Sequence, residues 1–548
     1  MAQIGSRELI YTVAGILLAV LLASAFRTPV IRRHGVPLRK PPNTLPLLGN
    51  GILFLQARQK LFAWFVKCQR QFSYETFQVA VPTLPPGVVI NDPRNLEFIF
   101  KNEGSLIGKG SFVRGMLWDL FGHGIVNADG DVWRTQRKAG LSFLNTANIR
   151  VLTDIALPQY LADTLRHLRV QAETDEQPVD LQAVFHELTS CIMGRMAYNM
   201  EMHADDEFTM AFDYASGATT ERFQNPLWFI TEAIAGAADL RRALAVVKAF
   251  GRRIVSTAVA DRAAQHGGKT ASLSQSPLTS TDAGSSLADS KINEVSGSLI
   301  QSLLDAISDQ EIVADAALNY LSAGRDTVAQ GLTWTFYMLM KHPDVVDKIR
   351  HEARGVLFAD YDGSDSRNNT NHSDNGVDDS SRDFARLTPA AMPYTMAVFY
   401  EGLRLFPPIP FEIKQVETAC LVLPDGTELH RGALVIWCSW AMNRAHRTWG
   451  ADADEFRPER WLQPSGTDAG GPQRLVARSA SEFPVFHGGP RTCLGKKMAE
   501  SVAVQTMAAV AYYFDFALVD PSVERVTKTS LTLPMEGGLP CYVRARDV

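Results

Sequence analysis

The residues best suited to chemistry lie near the carboxy terminus, in Phe486-His487-Gly488-Gly489-Pro490-Arg491-Thr492-Cys493-Leu494-Gly495. Cys493 stands just ahead of a helical run that begins at Lys496. Backbone N–H groups and the positive dipole end at a helix amino terminus favour an anion. The spacing therefore predicts a thiolate whose pKa lies below that of a free thiol, as an axial metal ligand requires. Gly489 and Gly495 let the backbone bend close to a flat cofactor, and Arg491, two residues before the thiol, can reach a carboxylate. Upstream, Trp133 and Arg137 place an indole N–H and a guanidinium on one helical face, suited to an anionic group. In Ala323-Gly324-Arg325-Asp326-Thr327, Ala323 and Thr327 share a face, and small residues there let a helix pass close to a ligand. The plain alternative is a mid-helix Thr bonded to a carbonyl one turn back. Glu401 and Arg404 are three apart on a helix, a spacing that in isolation is an exposed ion pair of little worth.

The segment that carries Asp326 and Thr327 reads as one long helix. Ser308 and Glu311 have capping-box spacing, no proline follows until Pro343, and His342-Pro343 stops the run after Lys341. At about 1.5 Å per residue that helix is roughly 50 Å long. Strand-like segments are few: residues 88–90, 420–423, 433–437, and a pair near 531–533 and 541–543. The class is mainly helical with a minor sheet.

The chain has 548 residues, and its 46% hydrophobic and 21% charged content is that of a folded globular protein. Length alone predicts about three to four domains. A net charge of −5 gives no basic excess for nucleic acid. Six cysteines, with no CxxC, read as reduced thiols rather than a disulfide or zinc framework. Residues 9–26 are 18 residues without a charge, enough for a single membrane anchor of about 27 Å behind a tail at 1–8. A cleaved signal peptide is the competing reading, with Ala23-Ser24-Ala25 as its site. Arg27, Arg32, Arg33, Arg39 and Lys40 then place the bulk of the chain in the cytosol, and residues 27–45 form a basic, proline-rich linker. Residues 266–291 and 360–383 are polar, low-complexity insertions expected to be solvated and disordered. The second contains Asn371-His372-Ser373, a glycosylation pattern that a cytosolic loop would not use.

The Cys493 segment closely resembles the haem-thiolate signature of the cytochrome P450 superfamily, and the resemblance extends from about Pro46 to the carboxy terminus. It implies one haem-thiolate monooxygenase domain, 46–548, in place of three or four domains, with a cytochrome P450 fold behind the single transmembrane helix. It also implies haem b with Cys493 as its iron ligand, and Trp133, Arg137, Arg491, Phe486 and Gly489 in cofactor binding, the first three holding a propionate. Asp326 and Thr327 would deliver protons to oxygen. Some relatives carry Glu at the position of Ala323 and bond covalently to haem, which this chain cannot do. Glu401, Arg404 and Arg460 of Phe456-Arg457-Pro458-Glu459-Arg460-Trp461 would form a buried structural network. A thiolate ligand favours O–O cleavage, chemistry that belongs to the cofactor.

No GxGxxG loop in a βαβ setting is present, so electrons come from a separate partner. The resemblance implies a membrane-bound NADPH–cytochrome P450 reductase, O2, membrane lipid and a lipophilic small-molecule substrate, at the endoplasmic reticulum. Residues 323–334, 404–414 and 486–497 look most like the branch of alkane and fatty-acid hydroxylases. Two alternatives stay open: a tailoring oxidase of fungal secondary metabolism, and a haem-thiolate isomerase, dehydratase or electron carrier. Pocket candidates carried over are a loop at 107–120, residues 223–230, 408–411 and a hairpin tip at 533–535. Phe223, Trp228 and Phe229 read equally as core or membrane-dipping surface. Glu412 and Lys414, near the pocket lip, would greet a substrate carboxylate or pair with each other.

Overall fold

The computed structural model describes residues 29–82, 84–173, 177–266, 285–358, 381–464 and 473–548, with scattered residues between 11 and 23. Helices that frame the site are α1 (Arg58–Gln71), α2 (Gly110–Phe121), α3 (Gly130–Phe143), α4 (Leu181–Met193), α5 (Glu207–Gln224), α6 (Trp228–Ala235), α7 (Ala237–His266), α8 (Gln310–Lys341), α9 (Pro393–Leu405) and α10 (Lys496–Tyr513). Strands used below are β1 (Phe77–Val79), β2 (Gly87–Val89), β3 (Ile107–Gly108), β4 (Phe411–Val416), β5 (Leu434–Cys438), β6 (Phe514–Leu518) and β7 (Pro540–Ala545). The mainly helical class with a minor sheet is as expected.

Asp309, one residue later than the expected Ser308, caps α8: its carboxylate accepts from the N–H groups of Glu311 at 2.9 Å and Ile312 at 3.4 Å. Its 32 residues run about 48 Å and end, as the sequence predicts, at His342-Pro343. α8 is buried on nearly every side, so it carries no clean polar face. α4 and α7 pack along it. Gly324 makes the α4 approach possible: a Cβ there would sit 2.5 Å from the Met193 sulfur. That glycine therefore serves helix packing as well as any ligand.

The five-stranded sheet has the order β1-β2-β5-β4-β3, parallel only between β2 and β5. β6 and β7 pair antiparallel, with Phe514 opposite Ala545 and Leu518 opposite Cys541. The expected strand at 531–533 is absent. Leu531 N–H donates to the Ser216 hydroxyl and Leu533 N–H to the Gln330 side-chain oxygen, so side chains take the place of a ladder. The expected loop at 107–120 is mostly helix: Val113, Leu117, Leu120 and Phe121 recur at helical spacing and are buried.

All six cysteines are free. Residues 267–284 and 359–380, including the Asn371-His372-Ser373 pattern, lie outside the described residues. At the edge of the first insertion the structure differs from expectation, since 285–291 belong to the helix Ser285–Val295. Of 9–26 only part is described, and no helix among the described residues is long and apolar enough to cross a membrane.

Candidate active site

A cavity of ≈ 520 Å³ lies between α8 and the loop that leads into α10. Cys493, Phe486, Trp133, Arg137, Arg491, Asp326 and Thr327, expected to act together, all line it. Gly489 does not. With φ +61°, it sits where a Cβ would come within 2.2 Å of the Phe100 carbonyl, so its role is to seat the loop against the helix of Phe100.

Cys493 is held by its own N–H, which donates to the Phe486 carbonyl at 2.8 Å. The residue is exposed, but to the cavity, and protein surrounds the thiol. Burial pushes its pKa up, outweighing the Gly495 N–H and the nearby charges of Arg137 and Lys496 that pull it down. The expected fall below a free thiol is thus not found. Desolvation wins over the helix end when nothing else stabilises the anion.

Trp133 and Arg137 project from α3, and the Arg491 guanidinium lies 4.6 Å from the Trp133 ring centroid, with that of Arg137 at 5.8 Å. Arg137 donates to the Thr492 carbonyl at 2.6 Å. Arg491 is more heavily engaged, bonding the Ala128 carbonyl at 3.0 Å and the Asp129 carboxylate, and lying 3.3 Å from Glu103. Asp129 sits at the N-cap of α3 without capping it. Its carboxylate accepts instead from Lys109 N–H at 3.1 Å and Arg114 at 3.2 Å, tying α3, α2 and the cysteine loop together.

Sequence reasoning missed the centre of this cluster. Lys414 does not chiefly pair with Glu412, which is 3.9 Å away; it pairs with buried Glu103 at 2.6 Å. Burial pushes Glu103 up, but Lys414, His487 and Arg491 together hold its carboxyl below the usual range. Lys109, at 3.9 Å from Glu412, is pushed down to about 8 by burial and by Lys414. The one available signal was a lone lysine in the apolar stretch Leu106-Ile107-Gly108-Lys109.

On α8, the Thr327 hydroxyl donates to the Ala323 carbonyl at 2.7 Å, the plain alternative for a mid-helix Thr, while both residues still line the cavity. Asp326 accepts from Arg325 Nε at 2.6 Å and faces His186 at 4.0 Å. Among the other pocket candidates, Pro408, Ile409, Phe411 and Phe223 line the cavity, but Trp228 and Phe229 do not. At 533–535, Leu533 and Met535 are core, and Ser530, Leu531 and Thr532 reach the cavity in their place.

Glu401, Arg404 and Arg460 form the expected buried network. Glu401 pairs with Arg404 through both carboxylate oxygens at 2.8 Å. It also accepts from Arg460 at 3.0 Å, Trp461 at 2.9 Å and the Arg457 N–H at 2.8 Å.

A helical molecule with a cysteine loop facing a long central helix across an apolar cavity is the arrangement of a haem-thiolate oxygenase. The family model for Cytochrome P450 matches residues 39–541, and the chain belongs to that family. It is a cytochrome P450 monooxygenase, and the family binds haem iron through a cysteine. The chain is 31% identical to Cytochrome P450 86B1 of Arabidopsis thaliana over 94% of its own length and 86% of that protein. It is 28% identical to Cytochrome P450 704B1 of the same plant, covering 94% and 97% of the two chains. To Cytochrome P450 94A1 of Vicia sativa it is 27% identical, covering 92% and 91%.

The residues present fit haem. The cavity has a thiol, that of Cys493, on one wall and small or hydroxyl side chains of α8 on another. Its rim holds two cations without a close counter-ion: buried Lys109 has Glu412 no nearer than 3.9 Å, and half-buried Arg137 bonds a carbonyl. A flat dianion would satisfy both.

Proposed function

We propose that this protein hydroxylates a long aliphatic substrate, a fatty acid, alkane or similar chain, with electrons from a membrane-bound NADPH-dependent reductase. The observation that supports this best is the cavity itself, in which Thr327 and Cys493 share an enclosure lined mainly by apolar side chains such as Leu117, Phe212 and Leu531. When bound, haem supplies oxygen activation and insertion of one oxygen atom into a C–H bond. Cys493 is the residue to hold its iron. Trp133, Arg137 and Arg491, joined by Lys109, hold its carboxylates by charge-assisted hydrogen bonds, and Phe486 packs beside the cysteine loop.

Thr327 keeps its hydroxyl hydrogen on Ala323, which leaves its oxygen lone pairs free to accept a hydrogen bond from a group in the cavity; turning off Ala323 would let the same hydroxyl donate a proton there. Asp326 is held in place by Arg325 as the acid behind that hydroxyl. The apolar walls exclude water and hold the chain for reaction at one carbon.

Membrane attachment belongs to the same proposal. Residues 9–26 are apolar, and Leu45, Leu47, Ile52 and Leu55 present exposed apolar surface next to the segment before α6, since Gly51 abuts Pro226. An endoplasmic-reticulum membrane site would place the cavity beside its lipid supply.

The test is a titration of the Soret band of the haem-loaded protein with fatty acids and alkanes of increasing length. A saturable low-to-high-spin shift that peaks at one chain length is expected, and it should vanish in Cys493→His, which loses the thiolate. No shift from any aliphatic ligand on a proper thiolate spectrum would overturn the aliphatic reading and favour a pathway-specific metabolite.

A further inference from the structure

Arg58, on the first turn of α1, lines the same cavity and is 5% exposed. It lies over the Phe62 ring at 5.5 Å, and its Nη1 donates to the Ser530 carbonyl. No carboxylate of the described residues forms an ion pair with it. Burial lowers its pKa to about 10, with only Cys438 pulling the other way. A guanidinium carries five N–H donors and stays charged, so burying one without a counter-ion is costly and is seldom retained for packing alone. The other buried cations of the cavity differ from it. Lys414 pairs with Glu103, Arg491 with Asp129 and Glu103, and Lys109 faces Glu412.

The neighbourhood of Arg58 is equipped for a polar head group. Ser216 and Ser530 share a hydrogen bond of 2.8 Å, Thr220 follows one turn along α5, and all three line the cavity. Thr532, which accepts from Gln330 at 2.9 Å, links this corner to α8 one turn beyond Thr327. The same enclosure thus has a cationic, hydroxyl-lined corner built from α1, α5 and residues 530–532, separate in the fold from the sulfur at the start of α10.

We infer that Arg58 anchors the carboxylate head of an amphiphilic substrate, so that the head sits at α1 and the apolar chain runs on toward Cys493 and Thr327. The planar fork of arginine takes a carboxylate through two parallel N–H···O bonds, which a methyl ester of the same chain cannot match. Oxidation would then fall on carbons remote from the carboxylate. This inference rests on the aliphatic substrate proposed above.

The experiment compares three ligands of equal chain length, a fatty acid, its methyl ester and the n-alkane, by spin-state titration of the full-length haem-loaded enzyme at neutral pH. In wild type the acid is expected to bind at least tenfold more tightly than the ester. Arg58→Met should bring that ratio close to one, and Arg58→Lys, which keeps charge but loses the fork, should reduce it at least threefold. An acid-to-ester ratio near one in wild type overturns the anchor, as does an unchanged ratio in either variant. If Arg58→Met does not load haem, the wild-type ratio and the lysine variant decide the matter. A shift by ester and alkane as strong as that by the acid removes the anchor and leaves the aliphatic reading standing. No shift by any of the three removes both.

Discussion

His186, on α4, is a largely buried imidazole 4.0 Å from Asp326. Burial pushes its pKa down to about 4, against the pull of Asp326 and Asp180 and with the help of Arg325. An unfolded histidine titrates near 6.5, so between pH 4 and 6.5 the unfolded chain holds more protons than the native one. Stability from this group is therefore complete above that window and is lost as pH falls through it. Asp213 has the opposite sign: burial and the Asp326 charge raise it to about 6, so between 3.8 and 6 the native state holds more protons and acid favours folding. The two partly offset. Replacing His186 by Gln should separate them, removing about 2 kcal/mol of acid destabilisation between pH 7 and pH 5. Paired thermal melts at the two pH values check it: wild type should lose more stability on acidification than His186→Gln, and equal losses would show that His186 is charged in the native protein. None of this was legible in the sequence, where Asp326 stood out by its motif but the Arg325, Asp213 and His186 around it come from three different helices.

At the scale of elements, the Glu401 network decides how α9 meets the 457–461 segment. Arg404 also donates to the carbonyls of Asn443 and Ala453, both at 2.6 Å, and of Glu455 at 2.8 Å. The pair thus fastens α9 to two further loops. Removing one partner of a buried, fully bonded ion pair costs about 3–5 kcal/mol, because the other charge stays behind unpaired. Glu401→Gln is expected to lower the melting temperature and the haem content of purified protein together, with the loss visible even in the absence of substrate. Retained haem content and an unchanged melt would place the network outside the fold's essential contacts. Here the sequence was informative, because the three charges stand in fixed order within short local segments. It misled where the partner came from far away. Residues 531–533 look like a strand, yet their N–H groups are taken by Ser216 and Gln330, more than 200 residues distant in the chain. Ser308 looks like a cap, but Asp309 beside it supplies the acceptor. Lys109 and Glu103 carry no motif, and only the meeting of α2, α3 and the cysteine loop makes them part of the site.

For the whole molecule, the distribution of exposed apolar side chains gives an orientation. Ile52 is 49% exposed, Leu55 57%, Phe229 43% and Ile234 80%, on two segments that touch where Gly51 meets Pro226. Arg58, only three residues after Leu55, lines the cavity. If this patch rests on lipid, as the membrane attachment proposed above requires, an amphiphile would reach the cavity from the side of Arg58. Each of these side chains is worth about 1.5–3 kcal/mol on full transfer from water, so partial insertion of a few of them gives measurable binding without a transmembrane helix. Protein beginning at Pro29 is therefore expected to sediment with phosphatidylcholine vesicles, and Ile52→Glu combined with Ile234→Glu should weaken that binding at least tenfold while leaving the haem spectrum as it was. Equal binding by the double variant would remove this face from contact with lipid and leave the apolar stretch at 9–26 as the sole candidate for holding the enzyme at a membrane.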